Sequence, residues 1–287
     1  MCYAVIEIGG TKSRIAVTDS LSELTQEPVS VETDSDPERA VGELVRWVEK
    51  LAGGKKLLNV AMGIRGQIAE DKRSMHRDTI LRDWVDFPIV EKLEKKFKVP
   101  VYLENDTALA GLGEAVFGAG SPFELVAYHS VSAGVGGVRI DNKRIDEASI
   151  GFEPGHQIID IDRTVLGDDI SPTLENLVSG SAVEKRMGVK PHEIDQSDVI
   201  WETLADYLGQ GLRNTILYWS PDVIVLGGSM IVGSPRIQID DIRRATVRAL
   251  DGFTDSPFIT LSTHKDQSGL YGALAYLGQQ TEEPYAT

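Results

Sequence analysis

Cys2 is the only cysteine in 287 residues. It has no partner for an intrachain disulfide and belongs to no cysteine set that could hold zinc, which fits a reducing compartment. Positive charge is also short: 29 Lys and Arg stand against 44 Asp and Glu, a net charge of −15. That balance argues against nucleic acid or an anionic membrane as the main partner. It leaves a nucleotide ligand open, because phosphate cradles are built locally from backbone donors. Long apolar runs are missing too. The longest candidate, residues 223–232, is broken by Gly227, Gly228 and Ser229, so no membrane span is expected. The N-terminus lacks the basic flank and apolar stretch of a signal peptide, and a cytoplasmic location is expected. What is present is ordinary for a globular chain, 41% hydrophobic and 25% charged residues. The length suits about two domains with a sizeable core.

The segment Ile6-Glu7-Ile8-Gly9-Gly10-Thr11-Lys12 carries the most information. Residues 3–8 read as a strand that breaks at two glycines and a threonine, then resumes as Arg14-Ile15-Ala16-Val17. Such a hairpin turn can bring bare N–H groups against an anion. The glycines allow close approach and unusual dihedrals. Thr11 adds a hydroxyl, and the Glu7 carboxylate could hold magnesium through water. On this stretch alone, Gly-Gly between strands is more often a plain turn.

Helical spacing of Val41, Leu44, Val45, Val48 and Leu51 predicts an amphipathic helix over 38–51. A buried strand over 57–62 ends at Gly63-Ile64-Arg65-Gly66. A helix over 89–97, a strand over 99–103 and an Ala-rich helix over 106–117 follow. Strands over 125–128 and 138–140 flank Ser132-Ala133-Gly134-Val135-Gly136-Gly137. Helices over 201–219, 239–250 and 269–277 and strands over 223–226 and 258–261 complete the chain. The polar stretches 160–172 and 188–198 read as loops. Alternating strands and helices indicate an α/β protein. A glycine-turn hairpin followed by strand–helix units occurs twice, from residue 3 and from residue 125. This predicts two related halves with a boundary near 112–120.

Five motifs follow in order: Glu7-Ile8-Gly9-Gly10-Thr11, Glu104-Asn105-Asp106, Ser132 to Gly137, Gly151-Phe152-Glu153-Pro154-Gly155-His156, and Val225-Leu226-Gly227-Gly228. Together they resemble the ROK family of bacterial sugar kinases and sugar-responsive repressors, over residues 3–278. The resemblance implies a two-lobe actin-like ATPase fold, ribonuclease H-like and duplicated, with a central cleft. A small lobe, 1–115, would be completed by a C-terminal helix, 268–287; the large lobe would be 116–267. The implied activity is ATP-dependent phosphorylation of a hexose-type sugar, with ATP and Mg2+ as cofactors. Asp106 would be the general base. Asn105, Glu153, His156 and Glu175 would bind sugar. ATP would meet Glu7, Gly9, Gly10, Thr11 and Lys12, then Ser132, Ala133, Gly134, Gly136 and Gly137, with Gly227 and Gly228 beside adenosine. Mg2+ would come with ATP, with Glu7 as its candidate protein contact. Homodimers are common in the family. Its repressors place a helix-turn-helix domain ahead of the first motif; here that motif strand opens at Tyr3, so no nucleic-acid branch is expected.

The chain departs from the family pattern in places. Glu7 replaces the usual Asp, and Ser132-Ala133-Gly134 replaces Gly-Thr-Gly, which deletes a hydroxyl donor. Gly63-Ile64-Arg65-Gly66 stands for Gly-Ile-Pro-Gly. Aligned on Trp84, Ile80 occupies the place of a sugar-binding Asn, so that contact is absent or moved to Asp78. Many members hold zinc with three cysteines and the histidine matching His156. Those cysteines are missing, so no zinc is expected. Bland alternatives stand beside each role: Asp106 as a helix N-cap, Asn105 as a turn residue, Glu153 and His156 as surface loop, Glu175 as a helix cap. Ala133, Arg65 and the missing Asn also motivate a rival, a sugar-sensing binding protein without turnover.

Overall fold

The computed structural model describes residues 1–146, 148 and 151–281; residues 282–287 of the expected terminal helix lie outside the described residues. Its contacts divide the chain into two compact units. One holds residues 1–117 and the C-terminal stretch from Gln267; the other is Gly118–Asp266.

In the first unit, β1 (Cys2–Ile8), β2 (Lys12–Thr18), β3 (Val29–Glu32), α1 (Pro37–Ala52) and β4 (Leu57–Ile64) are followed by a small hairpin, β5 (Gln67–Ile68) and β6 (Met75–Arg77). Then come α2 (Ile89–Phe97), β7 (Val101–Asn105) and α3 (Asp106–Phe117). The main sheet runs β3-β2-β1-β4-β7, antiparallel through β3-β2-β1 and parallel through β1-β4-β7. Side chains alternate across it, as strand geometry requires. Cys2, Ala4, Ile6 and Ile8 join Val60, Met62 and Ile64 in a core with Val41, Leu44 and Val48 of α1 and Val90 and Leu93 of α2. Asp36 caps α1, accepting the N–H groups of Glu38 and Arg39, and Pro37 opens the helix. The opposite face is built for close backbone approach. Gly63 lies against Leu109 and Asp106 of α3.

In the second unit, β8 (Leu125–Val131), β9 (Val135–Asp141) and β10 (Arg144–Ile145) precede α4 (Leu174–Val178), α5 (Gly180–Met187) and α6 (Ile200–Trp219). They are followed by β11 (Val223–Gly227), α7 (Ser229–Val232), α8 (Ile239–Leu250) and β12 (Phe258–Leu261). The sheet order is β10-β9-β8-β11-β12, antiparallel then parallel, which repeats the first sheet strand for strand. The duplication expected from the two hairpins is therefore a duplication of topology.

The last helix, α9 (Ser268–Thr281), returns to the first unit and packs on α3. The crossing depends on glycine. A Cβ on Gly272 would lie 1.7 Å from the Leu109 carbonyl oxygen, and one on Gly113 would lie 2.4 Å from that of Ser268. The Ser268 hydroxyl donates to the buried Glu114 carboxylate at 2.8 Å.

His129 of β8 is fully buried and stacked on Trp219, with ring centroids 5.5 Å apart. The His129 Nε2 lies 3.0 Å from the Thr215 hydroxyl oxygen, which is also 3.4 Å from the Gly211 carbonyl oxygen. Nδ1 has no partner among the described residues. Burial lowers its pKa to about 4. The unfolded chain therefore binds this proton more readily than the fold. The neutral ring contributes fully above the ordinary value of about 6.5, and that contribution is lost as pH falls toward about 4. The loss is about 3 kcal/mol, from about 1.4 kcal/mol per pKa unit. His129→Phe keeps a ring on Trp219 and removes the proton acceptor. Denaturant melts between pH 7 and 4 are expected to show a flatter acid loss than wild type; an unchanged pH slope would assign the acid sensitivity elsewhere.

Candidate active site

Three loops of the first unit leave the C-terminal ends of its parallel strands, where open α/β sheets commonly bind ligands. They are the turn after β1, the Arg65-Gly66 loop after β4, and the β7–α3 junction at Asn105-Asp106.

The first turn is closed by the Gly9 N–H donating to the Lys12 carbonyl at 3.0 Å. Thr33 pins it, its hydroxyl donating to the Gly9 carbonyl at 2.9 Å. Gly9 and Gly10 do not have positive φ values. Gly9 is required by space instead: a Cβ there would lie 2.9 Å from Lys12 O, whereas at Gly10 the nearest atom is the flexible end of Arg65, Nη1 at 2.9 Å. The Gly9 N–H is spent inside the turn and is not an anion donor. The N–H groups of Gly10 and Thr11 have no partner among the described residues, and Thr11 and Lys12 are exposed. Glu7 pairs with Arg14 at 3.4 Å, and its carboxylate lies against Gly269 in the first turn of α9.

At the β7–α3 junction the two candidate roles separate. Asn105 Oδ1 accepts the Ala108 N–H at 2.9 Å, so Asn105 caps α3; its amide donates to the Gly66 carbonyl at 3.0 Å. Asp106 is thereby released from capping. Its Oδ1 accepts the Thr107 N–H at 2.7 Å, and its Oδ2 has no hydrogen bond among the described residues. Burial pushes the Asp106 carboxyl above the usual range, opposed by its bonds from Thr107 and the nearby Arg65 charge. The Asp78 carboxylate is almost fully buried; it accepts Arg65 Nε on both oxygens and the N–H groups of Ile80 and Leu81 on Oδ2. Ile80 is 55% exposed, its Cγ2 3.3 Å from a Cβ on Gly10.

In the second unit, the loop between β8 and β9 is Ser132-Ala133-Gly134, with Ala133 exposed at its tip. Gly136 and Gly137 differ from expectation: both belong to β9, paired with Ser130 and His129, and are not loop residues. A Cβ on Gly137 would lie 2.6 Å from Pro154 Cγ, and one on Gly155 would lie 2.2 Å from Val135 O. Those glycines seat the Pro154–His156 turn on the sheet. Glu153 and His156 stay exposed at its two ends, three residues apart on a 3-10 turn and so on one side. Glu175 also differs. Thr173 caps α4, while Glu175 Oε2 accepts the Val135 N–H at 2.8 Å, so its carboxylate braces the loop.

Gly228, at φ 87°, turns the chain from β11 into α7; a Cβ there would lie 2.3 Å from Val131 O. Ser229, just after it, meets Ser132 with hydroxyl oxygens 3.0 Å apart. The two glycine motifs of this unit therefore touch. Ser229 could have been singled out in the sequence only by its place after Gly227-Gly228.

The segment after His156 is knitted by its own side chains. The Asp160 carboxylate accepts the N–H groups of Val165 and Leu166, and the Arg163 guanidinium donates to the carbonyls of Gly167, Asp168 and Ile170. Among the described residues no three His, Cys, Asp or Glu gather as a metal group.

A sequence profile of the ROK family matches residues 3–280. The chain belongs to the ROK family. It is 25% identical to a fructokinase of Lactococcus lactis subsp. cremoris over 278 residues, 92% of each chain. The ROK hexokinase of Thermus thermophilus superposes with a TM-score of 0.82 at 26% identity, covering 98% of this chain and 100% of that one. A ROK glucokinase from Streptomyces griseus, solved with glucose and AMPPNP, gives a TM-score of 0.81 over 98% of this chain and 100% of that one. At 23% identity, that likeness speaks for the fold.

Proposed function

We propose that this chain is an ATP-dependent sugar kinase that moves the γ-phosphoryl group of ATP to a hydroxyl of a hexose, with fructose and glucose the first substrates to test. One observation within the ROK frame carries the reading: Asn105 caps α3, so Asp106 keeps an unpartnered carboxylate oxygen among the described residues, close to Arg65 of the loop after β4. Asp106 takes the proton from the sugar hydroxyl, whose oxygen then attacks the γ-phosphorus as ADP leaves. The remaining amide N–H of Asn105 is a sugar donor, and Glu153 and His156 offer an acceptor and an imidazole to further hydroxyls. Open N–H groups at Gly10 and Thr11 and the Ser132-Ala133-Gly134 loop suit phosphate oxygens, and the Gly227-Gly228 turn suits adenosine. Glu175 supports that loop through Oε2 beside its proposed contact to sugar. Mg2+ would come with ATP and neutralise phosphate charge, with Glu7, on the strand that leads into the first turn, its candidate protein contact. Such an enzyme works where ATP is abundant, in the cytoplasm; among the described residues no helix is long and apolar enough to cross a membrane.

The test is ADP release by the purified chain over a panel of neutral hexoses and N-acetylated amino sugars. Release that depends on one sugar supports the kinase. Sugar binding without ADP release across the panel would favour the sensor reading.

Ala133 leaves the phosphate loop one hydroxyl short, and Ser132 is already engaged with Ser229. Ala133→Thr is expected to tighten ATP binding or raise turnover by up to about tenfold, the worth of one good hydrogen bond. ATP titration and kcat measure this; no gain would mean that the loop binds phosphate without a side-chain donor at its tip.

A further inference from the structure

Arg65 is a cation placed with care and left half used. Its Nε donates to both Asp78 oxygens at 3.1 Å. Asp78 is in turn fixed by the N–H groups of Ile80 at 3.0 Å and Leu81 at 2.7 Å. The Arg65 side chain is 28% exposed, and neither Nη1 nor Nη2 has a hydrogen bond among the described residues. Arg39 and Arg73, by contrast, use their terminal nitrogens. Arg39 grips Asp34 with Nε and Nη2, and Arg73 grips Glu94 with both Nη groups. Arg65 instead brings Nη1 so near Gly10 that a Cβ there would lie 2.9 Å away. Its free end therefore stands beside the turn whose Gly10 and Thr11 N–H groups are open, and close to Asp106. Two donor sets of different origin, a guanidinium fork and backbone amides, lie side by side.

Resting on the kinase reading above, we propose that Arg65 binds the phosphoryl group in transit, its Nη1 and Nη2 taking two oxygens of the ATP γ-phosphate. The fork matches two phosphate oxygens, which a point charge cannot do as well. Charge logic supports the placement. Asp106 must act as an anion next to an incoming anion, and a fixed cation between them offsets that repulsion. Asp78 is the positioning residue, holding the guanidinium by Nε so that its other edge faces the ligand.

The test compares an ATP analogue that cannot transfer its γ-phosphate with ADP, by calorimetric titration of the full chain. In wild type the analogue is expected to bind more tightly than ADP. Arg65→Gln should weaken analogue binding by about ten- to a hundredfold, the range for hydrogen bonds to a charged group. ADP and neutral sugar should change less than about twofold, on the premise that Arg65 contacts neither. Arg65→Lys, which keeps the charge and loses the fork, should fall between them; melting temperatures check that each variant is folded. Unchanged analogue binding in Arg65→Gln overturns the proposal, as does equal loss for analogue and ADP. Loss confined to a sugar acid such as glucuronate would assign Arg65 to a substrate carboxylate and overturn it too. A chain that discriminates analogue from ADP through Arg65, yet releases no ADP with any sugar, would retain the anion site and lose the kinase reading.

Discussion

Asp106→Asn is expected to leave a folded protein that is at least as stable as wild type and turns over about 10²–10⁴-fold more slowly, the usual contribution of a positioned base. Stability separates this reading from capping. The cap of α3 is Asn105, through its bond from Ala108, and the substitution leaves it intact. The Asp106 carboxyl titrates above its ordinary range because burial disfavours its charge. A carboxyl raised in the fold costs stability as pH rises from its unfolded value, about 3.9, through its folded value. Above the folded value the full cost is present, and a neutral amide removes it. The melting temperature should therefore hold or rise, and the gain should vanish in acid. The same shift sets the acid limb of kcat/KM in the free enzyme above the ordinary carboxylate range, because the base must be ionised to act. A variant that keeps more than about a tenth of wild-type turnover, short of the smallest loss expected for a base, would remove Asp106 from the chemistry.

The second large effect is structural. Gly272→Ala is expected to destabilise the first unit by about 3 kcal/mol or more, the upper end for overpacking. The added methyl would meet the Leu109 carbonyl oxygen at 1.7 Å, and helix backbone cannot yield as a flexible side chain can. Gly42→Ala is the control. Gly42 is exposed on α1 with nothing within 4 Å of its Cβ position, so alanine there should stabilise by about 0.5–1 kcal/mol. Urea midpoints of the two variants should move in opposite directions. A shift for Gly272→Ala no larger than that of an ordinary surface change would mean that α3 and α9 do not cross on this glycine.

Much of the fold was legible where burial imposes a strong period. Val41, Leu44 and Val48 marked α1, which starts at Pro37, one residue before the expected 38. The missed elements are short or weakly amphipathic. β3 offers only Val29 and Val31 between polar neighbours. α5 buries Val183 alone, so it has no stripe to read. β7 was displaced. Apolar content pointed to 99–103, but Gly63 and Ile64 of β4 supply partners for Glu104 and Asn105, and that pairing is non-local. The candidate site divides in the same way. Neighbours in sequence, such as Asn105 and Asp106, were legible as a pair, while the choice of which one caps α3 depended on the Ala108 bond. Roles fixed across the chain were not legible. Glu175 reaches Val135 forty residues away, and Ser132 meets Ser229 across ninety-seven. Arg65 stood out only as an unexpected cation; Asp78 gave it a direction.

Phosphoryl transfer itself is the most direct measurement. The wild-type chain is incubated with magnesium, ATP labelled in the γ-phosphate, and each hexose in turn, and the label is followed by chromatography and mass spectrometry. The expected result is labelled sugar phosphate with at least one hexose, formed in step with ADP. Label that stays in ATP, or appears only as inorganic phosphate whichever sugar is present, would contradict the kinase account.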